Sequence, residues 1–161
     1  MLDRNALKLL SPGLDRVAAR LVRLGVSADA ITLLGFGLGL AAAVAIASGA
    51  MLTGLGLILL SRLADGLDGP VARQTRPTDR GAFLDIALDF AFYASIPLAF
   101  AWWAPASHAW PAALLLAAFI GTGSSFLAFA LLAERRGRKS LAYPNKGLYY
   151  LGGLTEGTET L

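Results

Sequence analysis

Two short stretches of this chain concentrate the residues able to do chemistry. Asp65-Gly66-Leu67-Asp68-Gly69-Pro70-Val71-Ala72-Arg73 is followed, after seven residues, by Gly81-Ala82-Phe83-Leu84-Asp85-Ile86-Ala87-Leu88-Asp89. Asp65 and Asp68 are spaced i,i+3, and Asp85 and Asp89 i,i+4. On helices each pair shares one face, with its positions about 5–6 Å apart. A short loop joining those helices as antiparallel neighbours brings both pairs to one depth, so the carboxylates face a shared cavity. Inside a membrane helix an ionised Asp costs about 2.5–3.5 kcal/mol, less near the interface, and a group of such anions repels itself. Bound cations remove both penalties, and hard oxygen ligands suit Mg²⁺ or Mn²⁺. Two such ions about 3.5–4 Å apart form the usual clamp for in-line displacement at phosphorus. Gly69 and Gly81 leave room for a diphosphate close to the backbone, and Arg73 can pair with its oxygens. The set supplies metal sites, phosphate contacts and a spare carboxylate as base. Neutralisation of a purely structural Asp set by Arg62, Arg73, Arg76 and Arg80 is the alternative, but salt bridging requires neither these glycines nor this spacing.

The elements that must position these groups follow from composition. The 161 residues, enough for one domain, are 56% hydrophobic and 16% charged, with a mean hydropathy of +0.60 and no cysteine. Soluble domains carry about 25% charged residues, so an ordinary soluble enzyme and a disordered tail are both excluded. The missing cysteines exclude a disulfide scaffold, a thiolate metal site and a Cys nucleophile. No charge falls between Ile31 and Arg62, and between Phe90 and Ala133 there is only His108. About 20 apolar residues cross a bilayer as a helix. The chain is therefore an all-α integral membrane protein.

Leucines and valines at Leu2, Leu7, Leu10, Leu14, Val17, Leu21 and Leu24 alternate with Arg4, Lys8, Arg16, Arg20 and Arg23. That spacing predicts an amphipathic helix on the membrane surface over residues 1–25, broken at Ser11-Pro12-Gly13. Its charged lead-in is too long for a signal peptide. The membrane domain, residues 26–161, starts at a helix signal, Ser27-Ala28-Asp29. Spans are expected over about 31–50, 51–72, 81–104 and 109–133, with a turn at Pro77 and a link punctuated by Pro105 and Pro111. The last segment, 148–161, is too short to cross and has no flank, which leads us to expect a sequence cut within a fifth span. Of the 14 lysines and arginines, five precede the first span, three lie in 73–80, five in 135–146, and Arg62 lies inside the second span. The positive-inside bias places the N-terminus, the 73–80 loop and the 134–146 loop in the cytoplasm, with Trp102, Trp103 and Trp110 at the opposite boundary. The high pI of 9.6 reflects these flanking cations, so no nucleic-acid partner is expected.

The pattern D-x2-D-G-x2-A-R-x7-G-x3-D-x3-D, matched at all eight fixed positions from Asp65 to Asp89, resembles the signature of the CDP-alcohol phosphatidyltransferase family. The resemblance extends over most of the chain, and Tyr149 to Thr160 is similar to a bacterial inner-membrane branch. It implies a six-span fold, of which about five spans are present here and the last is incomplete. It further implies a phosphotransferase for substituted phosphate groups in phospholipid biosynthesis, multi-pass in the cell inner membrane, with its active site on the cytoplasmic side. Such an enzyme transfers a phosphatidyl group from a CDP-alcohol, here CDP-diacylglycerol, to an acceptor alcohol and releases CMP. By the same resemblance Asp65, Asp68, Asp85 and Asp89 ligate a dinuclear Mg²⁺ or Mn²⁺ site, and Asp89 is also the general base. Gly69, Arg73 and Gly81, with Thr78 and Asp79, would meet the CDP moiety. The family's Pro-Asn-x-x-Thr stretch reads Ala28-Asp29-Ala30-Ile31-Thr32 here, which keeps Thr32 and puts Asp29 in place of Asn as the remaining nucleotide contacts. The family is often a homodimer.

Glycerol 3-phosphate, an inositol phosphate, serine or a phosphatidyl acceptor all fit the shared motif, as does transfer of a CDP-linked head group to diacylglycerol. The basic 135–146 stretch mildly favours a phosphorylated acceptor. Arg135 and Arg138 are read first as a topology signal that meets anionic lipid headgroups, and second, with Lys146, as acceptor contacts. Glu156 and Glu159 either face the cavity as acceptor contacts or make polar helix contacts. Gly35 and Gly39 are expected to permit close helix packing, as are Gly121 and Gly123. His108 is expected at the solvated outer link. The competing function is an intramembrane transporter of divalent cations or protons, since buried carboxylates often mark ion paths; the glycines and Arg73 of the pattern disfavour it.

Overall fold

The computed structural model describes residues 2–135, with side chains for 12–132 and for 135. The described residues form five helices, α1 Leu2–Arg23, α2 Ala28–Ala47, α3 Met51–Gln74, α4 Asp79–Trp103 and α5 Pro105–Arg135. Three of them, α2, α4 and Pro105–Leu132 of α5, are long and apolar enough to cross a membrane. Helix α3 is of similar length, 24 residues, but Arg62, Asp65, Asp68 and Arg73 interrupt its apolar composition. It lies along α2, which packs against both α3 and α4, while α5 packs on α4 and α1 on α3.

Each boundary has a local cause. Helix α1 ends in a Schellman motif, with Val26 N–H bonded to Leu21 O at 3.0 Å and Gly25 N–H to Val22 O at 3.0 Å. Gly25 supplies the positive φ of 77° that this closure needs. Gly49, at φ 86°, closes α2 in the same way, through Ala50 N–H to Ala45 O and Gly49 N–H to Ile46 O. Ser27 caps α2, its Oγ accepting from Ala30 N–H at 3.2 Å, as the Ser-Ala-Asp signal indicates. Thr78 caps α4 by accepting from Gly81 N–H at 3.0 Å. The expected turn at Pro77 therefore exists and ends in a cap.

Two expectations are corrected. Helix α1 runs unbroken through Ser11-Pro12-Gly13. A proline there removes one backbone hydrogen bond, and the apolar positions on either side, Leu7, Leu10, Leu14 and Leu21, stay in phase, so the helix keeps its register. The link expected over 105–108 shrinks to Ala104, because Pro105 starts α5. Proline is favoured at a first helical position, where its missing N–H is not needed.

Small residues set how closely the helices approach. A Cβ at Gly35 would lie 3.2 Å from Ala64 Cβ and 3.4 Å from the Ser61 carbonyl oxygen of α3, and the Ser61 hydroxyl donates to Gly35 O at 2.8 Å. Gly39 faces the Phe92 ring of α4, which occupies the space a Cβ would need, and Gly123 of α5 receives Phe90 likewise. A small core of Ala18, Ile31, Ala64 and Val71 joins α1 to α2 and α3. Leucines such as Leu34, Leu52, Leu59 and Leu114 remain exposed, as a lipid-facing surface requires.

Gly39→Leu forces the Phe92 ring out of its notch and is expected to destabilise the protein by about 1–3 kcal/mol. Gly37→Leu, at a position with open space around it, is expected to leave the thermal midpoint in detergent unchanged. Parallel melting of the two variants checks this.

Candidate active site

Helix α3 delivers Asp65 and α4 delivers Asp85 and Asp89 to one cavity alongside α2. Thr32, Gly35, Phe36, Arg62, Asp65, Asp85, Leu88 and Asp89 line it. Carboxylate oxygens of Asp65, Asp68 and Asp85 lie within 4.8 Å of one another, with Asp68 buried and Asp85 exposed. The convergence read from the sequence is therefore real, although its route differs from a simple α3–α4 contact. Both helices are held on α2, and the gap between their acidic faces is spanned by side chains.

Arg62 makes that bridge. Its Nη1 donates to Asp89 Oδ1 of α4 at 2.9 Å and lies 3.4 Å from Asp65 Oδ2 on its own helix. Its guanidinium carbon sits 4.1 Å from the Phe92 ring centroid and 5.7 Å from that of Tyr93. Such cation–π contacts are worth about 0.5–2 kcal/mol. Asp89 thus faces the same cavity but is engaged by Arg62, and the closely clustered set contains the other three. Among the described residues Asp65, Asp85 and Asp89 line the cavity together with this guanidinium, and Asp68 lies within reach of Asp65 and Asp85. Hard oxygen donors within reach of one another are the donor set that a divalent cation such as Mg²⁺ or Mn²⁺ takes. The residues present fit such an ion.

Thr32 orients the buried member of the set. Its Oγ1 donates to Asp68 Oδ2 at 2.7 Å and lies 3.1 Å from Ala28 O. Asp29, one turn earlier, forms an ion pair with Arg80 of α4, with Oδ2 3.4 Å from Nε. A Cβ at Gly81 would lie 3.1 Å from Thr78 Oγ1 and 3.2 Å from Asp29 Oδ1, so the starts of α2 and α4 meet around Gly81. Thr78 spends its hydroxyl on the α4 cap, and Asp79 opens the first turn of that helix. Gly69 lies under its i+4 neighbour, with Arg73 Nη1 3.4 Å from where a Cβ would be. Arg135 is exposed in the last turn of α5. Arg138, Lys146, Glu156, Glu159 and the segment 148–161 lie outside the described residues. Arg62, Phe92 and Tyr93 were not among the residues singled out for chemistry. A lone cation in an otherwise charge-free run, three positions before Asp65, was the available signal.

With this geometry in place, comparison with known proteins decides the family. Residues 26–144 match the model of the CDP-alcohol phosphatidyltransferases. The chain belongs to the CDP-alcohol phosphatidyltransferase family. It is 50% identical to the inner membrane protein YnjF of Escherichia coli over all of this chain and 78% of that protein. It is 48% identical to the archaetidylinositol phosphate synthase of Methanothermobacter thermautotrophicus, over 51% of this chain and 39% of that one. A phosphatidylinositol phosphate synthase of Streptomyces avermitilis is 40% identical over 64% of this chain and 43% of its own length. Among solved structures, Mycobacterium tuberculosis phosphatidylinositol phosphate synthase with CDP-DAG bound superposes with a TM-score of 0.62 at 26% identity. That match covers 91% of this chain and 70% of that one. The eight fixed positions of the sequence pattern all lie on α3 and α4.

Thr32→Val removes the hydroxyl that donates to buried Asp68, a loss expected to cost about 1–3 kcal/mol. Thr32→Ser, which keeps the donor, is expected to restore most of it. Thermal unfolding of the pair in metal-free detergent solution reads the difference.

Proposed function

We propose that this protein is a metal-dependent phosphatidyltransferase that moves the phosphatidyl group of CDP-diacylglycerol to a phosphorylated alcohol and releases CMP. The observation that carries the reading is the convergence of Asp65, Asp68 and Asp85 within 4.8 Å beside Asp89, on the residues that carry the family signature. The named activities of the inositol phosphate synthases and the CDP-DAG of the solved relative support the donor and the class of acceptor. The basic stretch starting at Arg135 supports a phosphate on the acceptor. We assign residues 1–25 as a surface helix and 26–161 as the membrane domain, with α3 as a further span. The N-terminus and the site lie on the cytoplasmic side of the inner membrane, as the cation distribution favours.

Asp65, Asp68 and Asp85, joined by Asp89 for a second ion when substrate is present, would hold Mg²⁺ or Mn²⁺. The bound ions would neutralise the diphosphate and the charge that develops on the leaving CMP. Thr32 holds the Asp68 carboxylate beside those of Asp65 and Asp85. Arg73 pairs with diphosphate oxygens from the end of α3, beside Gly69, and Asp29, Thr32, Thr78, Asp79 and Gly81 border the nucleotide. Asp89 takes the proton from the acceptor hydroxyl. The acceptor oxygen forms a bond to the lipid-side phosphorus as that phosphorus loses its bridging oxygen to CMP. The abstracted proton remains on Asp89 until it passes to solvent.

General-base assistance contributes about 10²–10⁴ in rate. Asp89→Asn is therefore expected to lower CMP release from CDP-diacylglycerol at least about a hundredfold, and chelation of divalent cations to abolish it. The assay is CMP release with glycerol 3-phosphate, inositol phosphate, serine and free inositol as acceptors, with the lipid product read by mass. Cation flux into liposomes without CMP formation would overturn the assignment in favour of a transporter.

A further inference from the structure

Arg62 is the one lysine or arginine between Arg23 and Arg73, and the fold fixes its side chain from three directions. Its Nη1 is 2.9 Å from Asp89 Oδ1 and 3.4 Å from Asp65 Oδ2, and its Nη2 lies 3.5 Å from Ser61 Oγ. The Phe92 ring lies against the guanidinium at 4.1 Å. Phe92 is itself immobilised, 4% exposed and seated in the notch at Gly39. Asp89 and Phe92 are one turn apart on α4, so the element that carries the carboxylate also carries the surface that fixes its partner. The Arg62 side chain is 22% exposed in this pairing, unlike that of Arg80 in its pair with Asp29, which is 76% exposed.

The geometry points to Arg62 as the positioning residue that divides the carboxylates between two tasks. It holds Asp89 as an ion-paired proton acceptor apart from Asp65, Asp68 and Asp85, so that the substrate-free protein binds one divalent cation and not two. A second cation at Asp89 would have to displace a guanidinium already seated there at hydrogen-bond distance. The diphosphate of the donor brings the negative charge that makes such a displacement favourable. Arg62 then has phosphate oxygens to turn to, and its donors do not go unmet. This inference rests on the metal-dependent reading above.

The test is Mn²⁺ binding to the purified, detergent-solubilised full chain without nucleotide, followed by electron paramagnetic resonance of free Mn²⁺. The wild type is expected to bind one ion per chain, lost in Asp68→Asn. Arg62→Gln, which frees Asp89, is expected to bind two, and Arg62→Lys, which keeps a cation there, one. In steady state Arg62→Gln is expected to lower kcat about tenfold or more, with the KM for CDP-diacylglycerol changed less than about threefold. Arg62→Lys should recover part of the loss, which a merely structural role would not produce. Two ions bound by the wild type would overturn the inference while leaving the enzymatic reading intact, and this holds whether or not Arg62→Gln folds. Unaltered kcat and stoichiometry in a folded Arg62→Gln would overturn it too. A wild type that binds no Mn²⁺ would sink the metal-dependent reading itself.

Discussion

Carboxylates placed within helices of a membrane protein must be given partners, and the rest of this structure is arranged around that necessity. Asp65, Asp68, Asp85 and Asp89 each cost free energy if left charged in apolar surroundings. The protein answers in three ways. Thr32 donates to Asp68, Arg62 pairs with Asp89 and approaches Asp65, and Asp65, Asp68 and Asp85 are gathered closely enough to share a cation. A salt bridge of this kind is weak evidence for stability, because desolvating both charges offsets most of their attraction. Its value lies in where it fixes the groups.

That fixing depends on packing. Helix α2 is the post on which the two acidic helices hang, and it can serve because its contact face is built of small residues. Gly35 admits α3 closely enough for the Ser61 hydroxyl to reach its carbonyl, and Gly39 admits Phe92 of α4. In a bilayer, burial of apolar surface from water no longer drives helices together, so close van der Waals contact and interhelical hydrogen bonds carry the association. Packing and chemistry are joined in Phe92, which fills the notch on α2 and supports the guanidinium that holds Asp89. The family relationship gives this arrangement its chemical context, since the acidic signature positions Asp65, Asp85 and Asp89 line the cavity and Asp68 clusters with the first two.

Much of the molecule is legible before any coordinates. Helical membrane architecture follows from long charge-free runs, and the helix start at Ser27 follows from a small polar residue placed ahead of an apolar period, whereas the cap at Thr78 emerged only in the fold. The acidic positions follow from i,i+3 and i,i+4 spacing on two helices separated by a short turn. The unbroken course of α1 past Pro12 and the start of α5 at Pro105 were less legible. A proline signals a lost hydrogen bond, but whether the surrounding helix absorbs that loss depends on what it packs against and where the proline sits in the first turn.

By itself, the sequence determined which residues can bear charge, that the chain is helical with apolar runs long enough to cross a membrane, and which family signature it carries, because these depend on residue type and local spacing. The tertiary structure alone decided how the carboxylates are shared out. Asp89 looks equivalent to Asp85 along α4, yet it faces a guanidinium from another helix while Asp85 joins Asp65 and Asp68. That difference arises from the rotation and separation of α3 and α4 on α2, which the glycine notches and the Phe92 wedge set. Such relations between distant segments have no local signature, because the partner that fixes each side chain lies on a different helix.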